Sequence, residues 1–159
     1  MTYLPRLKPI IRSCAIVAIC MLSVGVVSAD ETLDEMNVSG VFINGDRTAI
    51  LEVADCGDAT PCGTLIWVTP YPDGSIVKDD KNPDPDLAAR PLVGVSLFKE
   101  FKAGKDKWKS GRIYNPEDGK TYRSSIKLAG YEYLEVKGCI GPICKTQYWN
   151  RLPVEAIKP

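Results

Sequence analysis

The chain has 159 residues, with 20 basic and 20 acidic side chains and no histidine. Without an imidazole, a Ser-His-Asp or Cys-His nucleophile is excluded and the commonest transition-metal ligand is missing. The even charge balance supplies no basic surplus for nucleic acid or an anionic membrane surface.

In chain order, Arg6, Lys8 and Arg12 precede an uncharged run from Ser13 to Val27 that ends in the small residues Val27-Ser28-Ala29. That order predicts a signal peptide over residues 1–29, removed on export. The run is shorter than the roughly 20 residues needed to cross a bilayer, so no stable membrane insertion is expected after cleavage. The mature chain would start at Asp30 with 130 residues, one domain of ordinary size, and with three acids in excess once the three basic leader residues are gone. Four cysteines remain, Cys56, Cys62, Cys139 and Cys144. An even count in an exported chain reads as two disulfides; three connectivities are open, and the short spacings favour Cys56 with Cys62 and Cys139 with Cys144.

Residues 30–38 form a short lead-in, followed by a domain over 39–152. Short strands are predicted at 40–43, 48–55 and 63–69, rich in the aliphatic residues that strands prefer. Residues 70–91 then form one long connection with prolines at 70, 72, 83, 85 and 91. Extended segments resume at 92–101, 107–115, 120–128, 131–139 and 145–151, before a tail at 153–159. Tyr122, Ser124, Ile126 and Leu128 alternate with polar neighbours, the period of a strand buried on one face. About eight sequential antiparallel strands with short turns suit an all-β up-and-down barrel or a sandwich. The barrel is favoured because closure removes exposed edges.

Within the long connection, Asp80, Asn82, Asp84 and Asp86 alternate like oxygen ligands of a calcium loop. The spacing fails as a metal site: the position that requires glycine is Pro85 and the position of the bidentate glutamate is Pro91. The same letters predict a short helix, capped by Asp84, started by Pro85, with Asp86 in its first turn and Pro91 as its stop. Arg90, at the end of that helix, either pairs with an acid of the connection or lies across the barrel mouth, where it would face an anionic ligand. Glu117 and Asp118 sit side by side in the turn "PEDG"; as turn residues they point apart, and neither pKa is expected to move. Tyr114 and Tyr122 flank that turn in positions to pair across the strands. Trp67, Trp108, Tyr122, Tyr133 and Trp149 lie on different strands. Trp67, two residues after Leu65, and Trp149, beside Arg151, are the first choices for core or pocket positions.

"CG…PCGTLIWV", "NPDPDLAARPLVGV", "GRIYNPEDGKTY" and "GCIG…C…QYWNR" occur in that order from about Ser39 to Arg151. In these motifs the chain resembles a bacterial exported family catalogued as domain of unknown function two-one-four-seven. The resemblance implies a lipocalin-like (calycin) barrel in the periplasm or secreted, and no assigned activity. It also implies structural roles for Phe42, which stands where the first lipocalin strand usually has Trp in Gly-x-Trp, and for Arg151, similar to the arginine that packs on that aromatic. Fold analogy adds a prior for ligand binding and nothing sharper. The expectation is a binding protein with no catalytic residues, no cofactor and no metal, holding a small apolar or amphipathic molecule through Trp67, Arg90, Tyr122 and Trp149. The alternative is a filled barrel that docks another envelope protein, whose identity the sequence leaves unknown.

Overall fold

A computed structural model of the protein describes residues 36–153 and residue 155. The expected leader lies outside the described residues, as does most of the tail. Nine strands are found among them: β1 (Gly40–Ile43), β2 (Ala49–Asp55), β3 (Pro61–Val68), β4 (Ser96–Lys99), β5 (Lys102–Ala103), β6 (Trp108–Asn115), β7 (Lys120–Ala129), β8 (Tyr133–Ile140) and β9 (Ile143–Arg151). Each pairs antiparallel with its sequence neighbour except at β4 and β5, and two further pairings close the ring, β1 with β9 and β4 with β6. Eight strands thus form a closed antiparallel barrel, and β5 is a two-residue extension lying along β6.

The predicted strand over 92–101 is shorter at both ends: it starts only after Gly94, at φ 93, and Glu100, at φ 64, ends it. A left-handed residue turns the chain out of the regular ladder, and no bulge absorbs the turn here as one does at Ser110 in β6. The break lets Phe98 and Phe101 meet edge to face, with ring centroids 5.6 Å apart. Each ring lies where a side chain would otherwise stand: a Cβ on Gly63 would come within 2.4 Å of Phe98, and one on Gly111 within 2.2 Å of Phe101. The other boundaries fall within two residues of the sequence expectation, since turns such as "NGDR" are set locally. There the Asn44 Oδ1 accepts from Thr48 N and Ala49 N at 2.8 and 3.0 Å.

The core fills one end of the barrel, the end at which β1 begins and β9 finishes. Phe42, Leu51, Phe98, Ile126 and Leu134 are fully buried there. Arg151 seals this end. Its guanidinium lies 4.7 Å over the Phe42 ring and 5.0 Å from Tyr131, while Nη1 donates to Ser39 O and Nε to Tyr131 O, both at 2.8 Å. Gly40 makes the approach possible, since a Cβ there would lie 2.2 Å from Arg151 Nη1. Disulfides join Cys56 to Cys62 across the β2–β3 turn and Cys139 to Cys144 across the β8–β9 turn. Both pairs follow the short spacings.

Candidate functional site

The opposite end is hollow. A cavity of about 820 Å³ opens between the β1–β2, β6–β7 and β8–β9 turns and the long β3–β4 connection. That volume falls in the range of roughly 300–1,000 Å³ typical of small-molecule pockets. Leu65, Leu97, Val136 and Trp149 belong both to the core and to the cavity lining, so they form its floor. Val68, Leu92 and Ile113 continue the apolar wall, and Asp46, Glu117, Asp118 and Tyr122 stand among the polar groups of the lining. The barrel is therefore packed at one end and open at the other. The interior of an eight-stranded barrel is near the width at which side chains either fill it or leave room for one ligand.

The long connection is held beside the mouth by one buried acid. Asp79 is fully buried, and its Oδ2 accepts from Arg90 Nε and Nη2 at 3.0 and 2.8 Å and from Asn82 Nδ2 at 2.9 Å. Its Oδ1 accepts from the hydroxyl of Tyr114, which also accepts from Asn82 Nδ2 at 3.2 Å. The backbone repeats the clasp, with Asp79 N donating to Arg90 O at 3.0 Å and Leu92 N to Val77 O at 2.9 Å. Val77 and Leu92 are thereby fixed as wall residues of the cavity. Between them lies the short helix α1 (Pro85–Ala88), with Asp84 as N-cap accepting from Asp86 N at 3.0 Å. The alternating acids of this stretch are thus shaped by capping, while Asp80 lies exposed beside Lys81 at 3.9 Å.

The clasp moves one titration. Burial, and next the hydrogen bond to Asp79, push Tyr114 up to about 12 from its ordinary value of 10.0. A folded pKa raised in this way leaves its stability contribution intact below pH 10 and removes it as pH rises through about 12. Denaturant melts stepped through this window are expected to show falling stability in the wild type and a flatter profile in Tyr114→Phe.

The structure distributes the expected site residues unevenly. Trp149 is on the cavity floor, and its buried indole N–H has no partner among the described residues. Tyr122 lines the cavity, and its hydroxyl donates to Asp118. That bond corrects the reading of the "PEDG" turn: it lowers the Asp118 carboxyl and raises the Tyr122 hydroxyl. Tyr114 and Tyr122 do not pair. Tyr122 is opposite Ile113, and Tyr114 is opposite Thr121, so the two tyrosines make separate bonds.

Trp67 is neither core nor lining; it is 41% exposed. A β-bulge is the cause. Trp67 pairs with Ile50 while Leu65 pairs with Leu51, so Ile66 is an extra residue and alternation from Leu65 no longer predicts the side of Trp67. Val68 lines the cavity in its stead. Arg90 is not among the described lining residues either; its guanidinium pairs with Asp79, the first of the two expected alternatives, an acid of the connection. Trp108 donates its indole N–H to Met36 O at 2.7 Å, and Tyr133 is exposed. Asp79 escaped the sequence reading because its place in "DDKN" resembles a solvated charge run. The one hint was an arginine expected to seek an acid of the connection.

No curated protein matches the chain at a significant level. Among solved structures, it is similar to one described as "Protein HP1028 from the human pathogen Helicobacter pylori belongs to the lipocalin family". The two share 28% identity with a TM-score of 0.65, over 77% of this chain and 87% of that one. The fold is therefore lipocalin-like. Residues 40–151, the whole barrel, match the family described as "Uncharacterized protein conserved in bacteria (DUF2147)", and the chain belongs to that bacterial family.

Proposed function

We propose that the protein is an exported binding protein that carries a small apolar or amphipathic molecule in the open end of its barrel, in the periplasm or outside the cell, without catalysing a reaction on it. The observation that carries the reading is the cavity of about 820 Å³ with an apolar floor and a polar rim. Burying a ligand against that floor contributes about 25 cal/mol per Å² of apolar surface removed from water, and rim groups orient its polar end. The two disulfides support the assignment to an oxidising compartment.

The neutral apolar dye N-phenyl-1-naphthylamine tests the reading directly. Saturable binding at one equivalent is expected. Gly138 lines the cavity, and a Cβ on it would meet nothing closer than Ile113 Cγ2 at 3.5 Å, so Gly138→Leu grows into free space. That variant is expected to keep its stability and lose most of the dye binding. Dye binding unchanged by Gly138→Leu would count against the cavity as the site. A filled barrel that docks envelope proteins is the second reading, and the exposed Ile140 and Ile143 at the β8–β9 tip favour it. Absent dye binding together with co-purification of one protein partner would support it.

A further inference from the structure

One wall of the cavity is unlike the others. β9 runs in continuous register with β8, from Tyr133 opposite Asn150 to Ile140 opposite Ile143. Directly opposed residues share a face of the sheet. Leu134 and Val136 are buried inward, so their partners Trp149 and Gln147 face inward too, and so does Lys145, the partner of Gly138. All three line the cavity. In each the side chain offers N–H donors, and none makes a side-chain hydrogen bond or ion pair among the described residues. Trp149 is the most telling of them, because a buried indole N–H without an acceptor is a cost that a fold ordinarily avoids.

The same strand is also open on its other side. β1 meets β9 only where Phe42 lies opposite Arg151 and Ile43 opposite Asn150. From Ile143 to Trp149, β9 has no second strand beside it among the described residues, so Lys145 and Gln147 stay wet while Trp149 lies at the floor. At about 3.4 Å per residue, the strip from Lys145 to Trp149 spans about 14 Å from the mouth inwards. Among the described lining residues Lys145 is the one cation, and the acids Asp46, Glu117 and Asp118 belong to the β1–β2 and β6–β7 turns.

Resting on the cavity reading above, we infer that β9 is the recognition wall and that the ligand is an anionic amphiphile. Its carboxylate or comparable anion pairs with Lys145 at the open seam, and an oxygen acceptor further along reaches Gln147 or the indole N–H of Trp149. The chain lies against Leu65, Leu97 and Ile113. The mouth acids then act as a selectivity element, since an anion is repelled at the β1–β2 and β6–β7 turns and drawn to β9.

Competition against the neutral dye separates this inference from the reading on which it rests. Palmitic acid, the alcohol of the same chain length and the matching primary amine are titrated against dye-loaded full-length protein. The acid is expected to displace the dye roughly tenfold more effectively than the alcohol, the usual scale of one charge-assisted contact, with the amine weakest. Lys145→Met is expected to erase the preference of acid over alcohol. Equal displacement by all three, a preference for the amine, or an acid preference that survives Lys145→Met would overturn the recognition wall while leaving the cavity in place. Failure of the dye itself to bind would overturn both.

Discussion

Asp79→Ala is expected to destabilise the protein by about 3 kcal/mol, read from the midpoint of urea unfolding at unchanged slope. The carboxylate is fully buried and is the common acceptor for Arg90, Asn82 and Tyr114, so its removal leaves four donor groups on three side chains without their acceptor. Breaking a buried ion pair from one side typically costs about 3–5 kcal/mol, and the low end applies here because the Arg90 side chain is 36% exposed and recovers water. A second effect follows from position. The clasp holds Val77 and Leu92 as cavity wall, so dye affinity is expected to fall along with stability. Asp79→Asn keeps the shape and one acceptor oxygen but loses the charge, and should lie between wild type and Asp79→Ala. A change below about half a kcal/mol in Asp79→Ala, the scale of an ordinary surface substitution, would show that backbone pairing alone pins the connection.

Phe42→Ala is expected to be comparably severe, at about 3–5 kcal/mol, for a different reason. The ring is wholly buried at the closed end, and removing it leaves a cavity that the sheet cannot collapse to fill, since β1 is held on both sides by β2 and β9. Arg151 loses one of its two stacking faces but keeps Tyr131 and its bonds to the Ser39 and Tyr131 carbonyls. Dye binding at the far end should survive in the folded fraction, because Phe42 does not line the cavity. That separates the two variants. Asp79→Ala acts on stability and on the mouth, whereas Phe42→Ala acts on stability alone. Loss of dye binding in folded Phe42→Ala would mean that the two ends of the barrel are coupled.

Features made by residues close in sequence were legible before the structure. Asp84 and Pro85 start a helix because a capping carboxylate and a ring-fixed φ act within three residues. The two disulfides each close a turn with a separation of 6 or 5 positions, so spacing favoured them among the three open connectivities. Alternation on β7 placed Ser124 and Ile126 on the buried face, since a regular strand has period two. The same rule failed on β3, where one extra residue in the ladder reversed the side of Trp67. A bulge depends on the partner strand, and no local signal near Trp67 announces it. The choice left open at Arg90 is of the same kind, and the structure takes the first alternative, an acid of the connection. Its charge and its place after the helix were readable, but whether it faced a ligand or an acid depended on where Asp79 was carried.

The amino-acid order by itself determined the order of the extended segments, the capped helix, the short cysteine spacings and the exclusion of histidine chemistry, because all of these rest on composition or on contacts between near neighbours. Only the tertiary structure decided which acid is buried, which aromatics face inward and whether the barrel is hollow. Asp79 meets Tyr114 across 35 positions, and the register of β8 against β9 turns Lys145, Gln147 and Trp149 to one side. The volume left empty is the difference between the space that the ring encloses and the side chains it turns inward, a quantity that exists only once every strand has its register.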